Sequence, residues 1–228
     1  YQCFQPQHNR PIRHGTNFLL LLDSVANPPT TAVRATASMK AHNIALFSGS
    51  ADAHWTIVAA DPNTIEEMRA NDRWWPLHDS SFPDDIEPLV NAIFDGTAIC
   101  VCDGSYMPHL SESLGTAAWR LEDPNSGIAC FGKCQTSGAP VDVNAYRSEL
   151  QGIHASLLAV SLLSRIANIE RGAVTLGCDN ETGVMMATSD WLKVGWNTKH
   201  ADLVRGIRQL VSRLAARGIK VTFVHVKG

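Results

Sequence analysis

Thr97-Ala98-Ile99-Cys100-Val101-Cys102-Asp103-Gly104-Ser105-Tyr106 (TAICVCDGSY) is the stretch whose reading decides the fold. A continuous apolar run that closes on an acid and a glycine reads as a strand buried in a sheet. Asp103 lies within that strand, and Gly104 beside it leaves room for close backbone approach by a ligand. Two further strands follow, Gly115–Glu122 and Gly127–Thr136, joined by the turn sequence Asp123-Pro124-Asn125-Ser126-Gly127. Three strands in such short succession form an antiparallel meander. Pro140 then precedes a long helix, Val143 to Asn168, capped by Asp142 or Asn144. It is nearly apolar through Ile153, Leu157, Val160 and Leu163, as a helix buried against a sheet must be. A fourth strand at Ala173–Asp179, a short helix at Glu181–Ser189, a helix at Asn197–Arg217 and a fifth strand at Ile219–Val226 complete the order. The pattern predicts a five-stranded mixed α/β sheet, three antiparallel strands followed by two parallel additions, flanked by helices.

Upstream the sequence says less. Residues 1–43 are broken by Pro6, Pro11, Pro28 and Pro29, with Asn17–Val25 as the only segment apolar enough for an element. Ile44–Ser48 and His54–Ala60 read as short strands. Asn63–Asn71 reads as a short helix capped by Asn63, and Trp74-Trp75 as a packing anchor. Pro83–Pro88 reads as a linker or short helical turn. The division expected is a small irregular N-terminal, connection-like segment, 1–96, and a sheet domain, 97–228. Tyr1 at the start and Gly228 directly after a strand-like run are expected of a piece of something longer.

Composition excludes several classes. The chain has 228 residues, 45% of them hydrophobic and 18% charged, which excludes general disorder. Its longest compact apolar run is Phe18–Leu22, far short of the roughly 20 residues of a membrane span. Six cysteines are too few for a disulfide scaffold at this length, and only Cys100 and Cys102 stand close together. They read as buried reduced thiols of an intracellular protein. The net charge of −3 divides unevenly: 8 Lys+Arg stand against 16 Asp+Glu in 1–142, and 11 against 6 in 143–228. A basic second half suits a face that meets nucleic acid.

Three acids occupy special places: Asp103 in the first strand, Glu149 in the first turns of the long helix, and Asp179 at the end of the fourth strand. With the first and fourth strands as parallel neighbours, all three converge. Carboxylates gathered on apolar elements repel one another, and unpaired burial is costly. Hard divalent cations with oxygen ligands resolve that conflict, and a pair of them serves the attacking and leaving oxygens of a phosphodiester displacement.

In this order and context, residues 97–228 resemble a type 1 ribonuclease H domain. The resemblance rests on the first strand with its Asp103-Gly104-Ser105, and on Tyr146-Arg147-Ser148-Glu149-Leu150 at a helix start. Cys178-Asp179-Asn180 and Val224-His225-Val226-Lys227-Gly228 complete it. The style of Asp103–Tyr106, Gly115–Trp119 and Tyr146–Leu150 further resembles domains carried by retroelement reverse transcriptases. The resemblance implies a ribonuclease H-like fold and two Mg²⁺ ions, with Mn²⁺ as substitute, held by Asp103, Glu149 and Asp179, with Asp103 bridging both. It implies an RNA–DNA hybrid as substrate and an upstream reverse transcriptase domain of the same polyprotein as partner. The family's fourth acid is expected beyond Gly228, so the resemblance implies only feeble cleavage by residues 1–228, and Asp202, on another helix, is not its substitute. Where the family carries amides that contact the ribose 2′-hydroxyl, Ala145-Tyr146 and Glu181 stand here, leaving Ser105, Asn180 and Arg147 as polar contacts.

A softer signal lies in the helix 197–217. Arg205, Arg208, Arg213 and Arg217 fall largely outside its apolar stripe of Leu203, Ile207, Leu210 and Leu214. With Lys199 and Lys220 they form a basic ridge suited to phosphates. Sugar-kinase-like phosphotransferases lack support because no second D-G-[ST] follows Asp103. Proofreading exonucleases would place D-x-E on the first strand, and integrases would place the Glu last. The alternative from another class is a catalytically degenerate domain that binds nucleic acid or stabilises a polymerase.

Overall fold

In the computed structural model, which describes residues 61–189, 194 and 198–227, the stretch Ala98–Tyr106 is a strand whose burial alternates. Ala98, Cys100 and Cys102 face the core while Ile99, Val101 and Asp103 face outward. Elements expected within residues 1–60 lie outside the described residues. The described chain, Asp61 onward, belongs to one compact unit. Its order is α1 (Ile65–Arg69), a 3₁₀ segment (Asp72–Leu77), β1 (Ser80–Ser81), α2 (Glu87–Asp95), β2 (Ala98–Tyr106), β3 (Gly115–Glu122) and β4 (Ala129–Gln135). A 3₁₀ turn (Pro140–Asp142) leads to α3 (Ala145–Ile166), β5 (Gly172–Cys178), α4 (Glu181–Thr188), α5 (Ala201–Ala216) and β6 (Ile219–His225). No helix among the described residues is long and apolar enough to cross a membrane.

The sheet is mixed, in the order β1-β4-β3-β2-β5-β6. It has six strands rather than the five expected, because Ser80–Ser81 adds a two-residue edge antiparallel to β4. So short a strand carries no periodicity to read. The β2–β3–β4 meander is antiparallel, and β5 and β6 join β2 in parallel. The β3–β4 turn is organised by Asp123, whose carboxylate accepts the Asn125 and Ser126 N–H groups and the Ser126 hydroxyl. These bonds, the Ser126 hydroxyl first, hold the Asp123 carboxyl below its usual range.

Local chemistry corrects the helix starts. Asn144, not Asp142, caps α3 by accepting the Arg147 N–H at 3.0 Å. Thr64, not Asn63, caps α1, while the Asn63 N–H donates to Glu67 at 2.7 Å. The proline-rich stretch ends in a full helix, α2, opened by Pro88 and closed by Gly96 at φ +76, with Leu89, Ala92 and Ile93 buried on one face. Residues 61–96 thus pack onto the same core as the sheet through Met68, Trp74, Leu77 and Leu89.

Helix α3 crosses from β4 to β5, with Leu150, Ile153, Leu157, Val160 and Leu163 fully buried. It lies on the Cys102 side of the sheet, where α5 packs beside it: a Cβ on Gly152 would sit 3.2 Å from that of Cys102. Its first turn approaches β2 still more closely. A Cβ on Gly104 would fall 2.3 Å from the Glu149 nitrogen and 2.5 Å from the Ser148 carbonyl carbon. The room at Gly104 is therefore taken by the helix backbone, not held for a ligand. Gly104→Ala should cost about 3 kcal/mol through forced separation of backbone from backbone, read as a lowered urea midpoint. An unchanged midpoint would mean that helix and strand separate freely here.

Candidate metal centre

The crossover delivers Glu149 to the point where β5 ends and its pairing with β2 stops. Cys102 and Cys178 are direct partners across these parallel strands, so Asp103 and Asp179 each stand one residue beyond the pair. Ligand atoms of Glu149, Cys178 and Asp179 all lie within 4.8 Å of one another. Asp103, expected in the centre of this group, is exposed and stands outside the tight set. Its charge nevertheless reaches Glu149. Cys178 takes a place that residue-type reasoning gave to buried packing. Its thiol lies 3.8 Å from Glu149 Oε2 and accepts the Asn180 N–H at 3.4 Å. The signal available in the sequence was its position immediately before Asp179.

Glu149 is 8% exposed, and its carboxyl is pushed up to about 8. Burial is the main cause, followed by the charges of Cys178, Asp179 and Asp103. A hydrogen bond from the Gly104 N–H works against them. A buried carboxyl facing two more acids and a thiol, with one backbone donor to its charged form, keeps its proton to about pH 8 unless a cation takes the proton's place. This donor set fits a divalent cation, with carboxylate oxygens for a hard ion and a sulfur that a softer one also accepts.

The expected nucleic-acid contacts are placed differently. Arg147 is 4% exposed and is consumed internally. Its Nη1 donates to Asp202 Oδ1 at 2.9 Å, and the guanidinium also meets the Ser137 carbonyl and His200 Nδ1. It ties the start of α3 to the start of α5 and is not exposed for a phosphate. The same ion pair accounts for Asp202. Asn180 caps α4, accepting the Gly183 N–H at 2.7 Å, while Ser105 is half-buried at the end of β2. On α5, Arg205 donates to the Val194 carbonyl and Arg208 to that of Met186, so part of the basic ridge folds back on the protein. His225 Nε2 lies 3.0 Å from the Asp179 carbonyl oxygen, on the side of β6 away from Val224 and Val226. His154, on α3 against Gly206 of α5, is half-buried, and its desolvation pushes it down to about 4. Its Nδ1 has no hydrogen-bond partner among the described residues.

No family model matches the chain, and no curated protein matches it. Among solved structures it is similar to ribonuclease H1 of the halophilic archaeon Halobacterium salinarum, at 19% identity and a TM-score of 0.39, over 56% of this chain and 84% of that one. It is also similar to the N-terminal ribonuclease H domain of a Mycobacterium tuberculosis protein, solved as a fusion with maltose-binding protein. There the identity is 13% and the TM-score 0.38, over 56% of this chain and 81% of that one.

The raised Glu149 carboxyl has a consequence for stability. The folded chain keeps a proton that the unfolded chain releases near 4.5, so the cation-free protein is unaffected below that pH. It loses stability as pH rises to about 8 and levels off above. Glu149→Gln should remove this loss, giving a higher urea midpoint than the parent near pH 8 and a similar one near pH 4. A parent-minus-variant difference that does not change with pH would contradict the placement of Glu149.

Proposed function

We propose that this chain hydrolyses the RNA strand of RNA–DNA hybrids at a divalent-metal centre formed by Asp103, Glu149 and Asp179. The observation that carries the reading is the buried Glu149 carboxyl, pushed up to about 8 among Cys178, Asp179 and Asp103. Such a centre is costly to keep empty of cations and favourable to fill. Asp103, on the open side of the strand pair, would hold the cations together with Glu149 and Asp179, the latter two from the tight cluster beside Cys178. Bound Mg²⁺, or Mn²⁺ in its place, supplies Lewis acidity to the attacking water and to the departing 3′-oxygen. The rest falls to the chain itself. Gly104 orients Glu149 through its N–H, His225 steadies the Asp179 backbone, and Ser105 and Asn180 lie at the strand ends as contacts for the sugar-phosphate backbone. Arg205 and Arg208, on α5, add sequence-independent attraction for the duplex.

The context that goes with this reading is a retroelement polyprotein inside the cell, with a reverse transcriptase domain as the upstream partner. Support comes from the order of the motifs at 103–106, 115–119 and 146–150.

The test is cleavage of a hybrid carrying end-labelled RNA, with and without Mg²⁺. Cleavage confined to the RNA strand and dependent on the cation is expected. Asp103→Asn should lower it at least roughly a hundredfold, since an amide cannot bridge two dications. The same variant should melt no lower than the parent, because a like charge has been removed. Cation-independent cleavage would overturn the metal centre. An inert chain that still retains hybrid would favour the degenerate binding domain.

A further inference from the structure

A dipeptide repeats across the parallel pair: Cys102-Asp103 on β2 and Cys178-Asp179 at the end of β5, in register. Both cysteines turn toward α3. Cys102 lies against Gly152, and Cys178 lies 3.8 Å from the Glu149 carboxylate. Both thiols are free, and the two residues stand directly opposite each other in the strand register. Adjacent strands lie about 4.8 Å apart, inside the Cα separation of roughly 4.4–6.8 Å that a disulfide spans. Each sulfur also sits one residue before an acid of the metal centre.

We infer that Cys102 and Cys178 form a reversible redox pair whose disulfide disables the cation site. The inference rests on the metal-centre reading above for its consequence, but not for the bond itself. Cys178 is 1% exposed and Cys102 8%, so a bulky disulfide donor is too large, and a peroxide is the class of oxidant that fits. The Cys178 sulfur attacks one peroxide oxygen, the O–O bond breaks, and a first water leaves a sulfenic acid on Cys178. The Cys102 sulfur then attacks that sulfur, the S–O bond breaks, and a second water departs. Two electrons pass from the thiols to the peroxide, and a dithiol reductant returns them. Closing the bond turns the Cys178 sulfur from Glu149 toward Cys102 and fixes the spacing of the two residues that precede Asp103 and Asp179. The ligands are then held in a spacing set by the disulfide.

The reduced 228-residue chain is titrated with hydrogen peroxide, alkylated and mapped by mass spectrometry, with Mn²⁺ binding followed in parallel by electron paramagnetic resonance. Expected are a loss of about 2 Da and a Cys102–Cys178 crosslinked peptide. Mn²⁺ binding should weaken at least about tenfold and recover with dithiothreitol. A Cys102→Ala chain should bind Mn²⁺ like the parent and keep doing so after peroxide. If that variant does not fold, the crosslink in the parent and its reversal by dithiothreitol still decide. A folded chain that gives no such crosslink, or the crosslink with unchanged Mn²⁺ affinity, overturns the inference. A reduced chain that binds no Mn²⁺ sinks the nuclease reading, and the crosslink map alone then decides the pair.

Discussion

The approach of one backbone to another at Gly104 is the constraint on which the rest of this structure depends. Any side chain there would collide with the first turn of α3, starting with the Glu149 nitrogen at 2.3 Å. One turn further along, Gly152 continues the seam against Cys102 and the Asp103 carbonyl, at 3.2 and 3.4 Å for an added Cβ. Two glycines on opposite partners thus seat the helix deeply on β2. That depth lets a helix residue reach the strand ends. With the helix a few ångströms higher, Glu149 would fall short of Cys178 and lose the Gly104 N–H.

Electrostatics then sorts two neighbours on the same turn. Arg147 and Glu149 are two residues apart, opposite in charge and both buried, yet they do not pair. Arg147 turns to Asp202 on α5, and Glu149 turns to the strand ends. A unit charge of opposite sign about 4 Å from Glu149 would be worth roughly 4 kcal/mol at a near-surface dielectric, enough to offset most of its raised proton affinity. With Arg147 committed to the α3–α5 joint, no cationic side chain is ion-paired with Glu149 among the described residues.

Much of the architecture was legible because it is periodic. The β3 limits, Gly115–Glu122, coincide with those read from the pattern, and the Asp123 turn announces itself by residue type. The long helix and its cap lay within two residues of expectation. What escaped was non-local. Arg147 finds Asp202 across 55 positions, a choice that no helix pattern encodes. Cys178 joins the carboxylates because its strand pairs in parallel with β2, which turns an ordinary core thiol toward Glu149. Helix α2 was masked by the prolines that precede it, although one of them, Pro88, starts it. Glycine 104 was recognised as a point of close approach, but the occupant of that space was a matter of packing depth.

The location of the centre follows from the topology more than from any one residue. Strand β2 is flanked by an antiparallel neighbour, β3, on one side and a parallel one, β5, on the other, and the chain reverses direction around that junction. At such a switch point, outside the carboxyl ends of neighbouring parallel strands, open α/β sheets commonly bind their ligands. The two faces of the sheet meet there. Cys102, Cys178 and Glu149 come from the covered side. Asp103 belongs to the open side with Ile99 and Val101, which are 44% and 45% exposed. A centre drawn from both sides has ligands in two dielectric environments, one pushed toward its neutral form and one bathed in water. Burial on the covered side favours the proton of Glu149, while Asp103 stands exposed on the other side of the same strand, so the candidate centre joins a desolvated carboxyl to a solvated one.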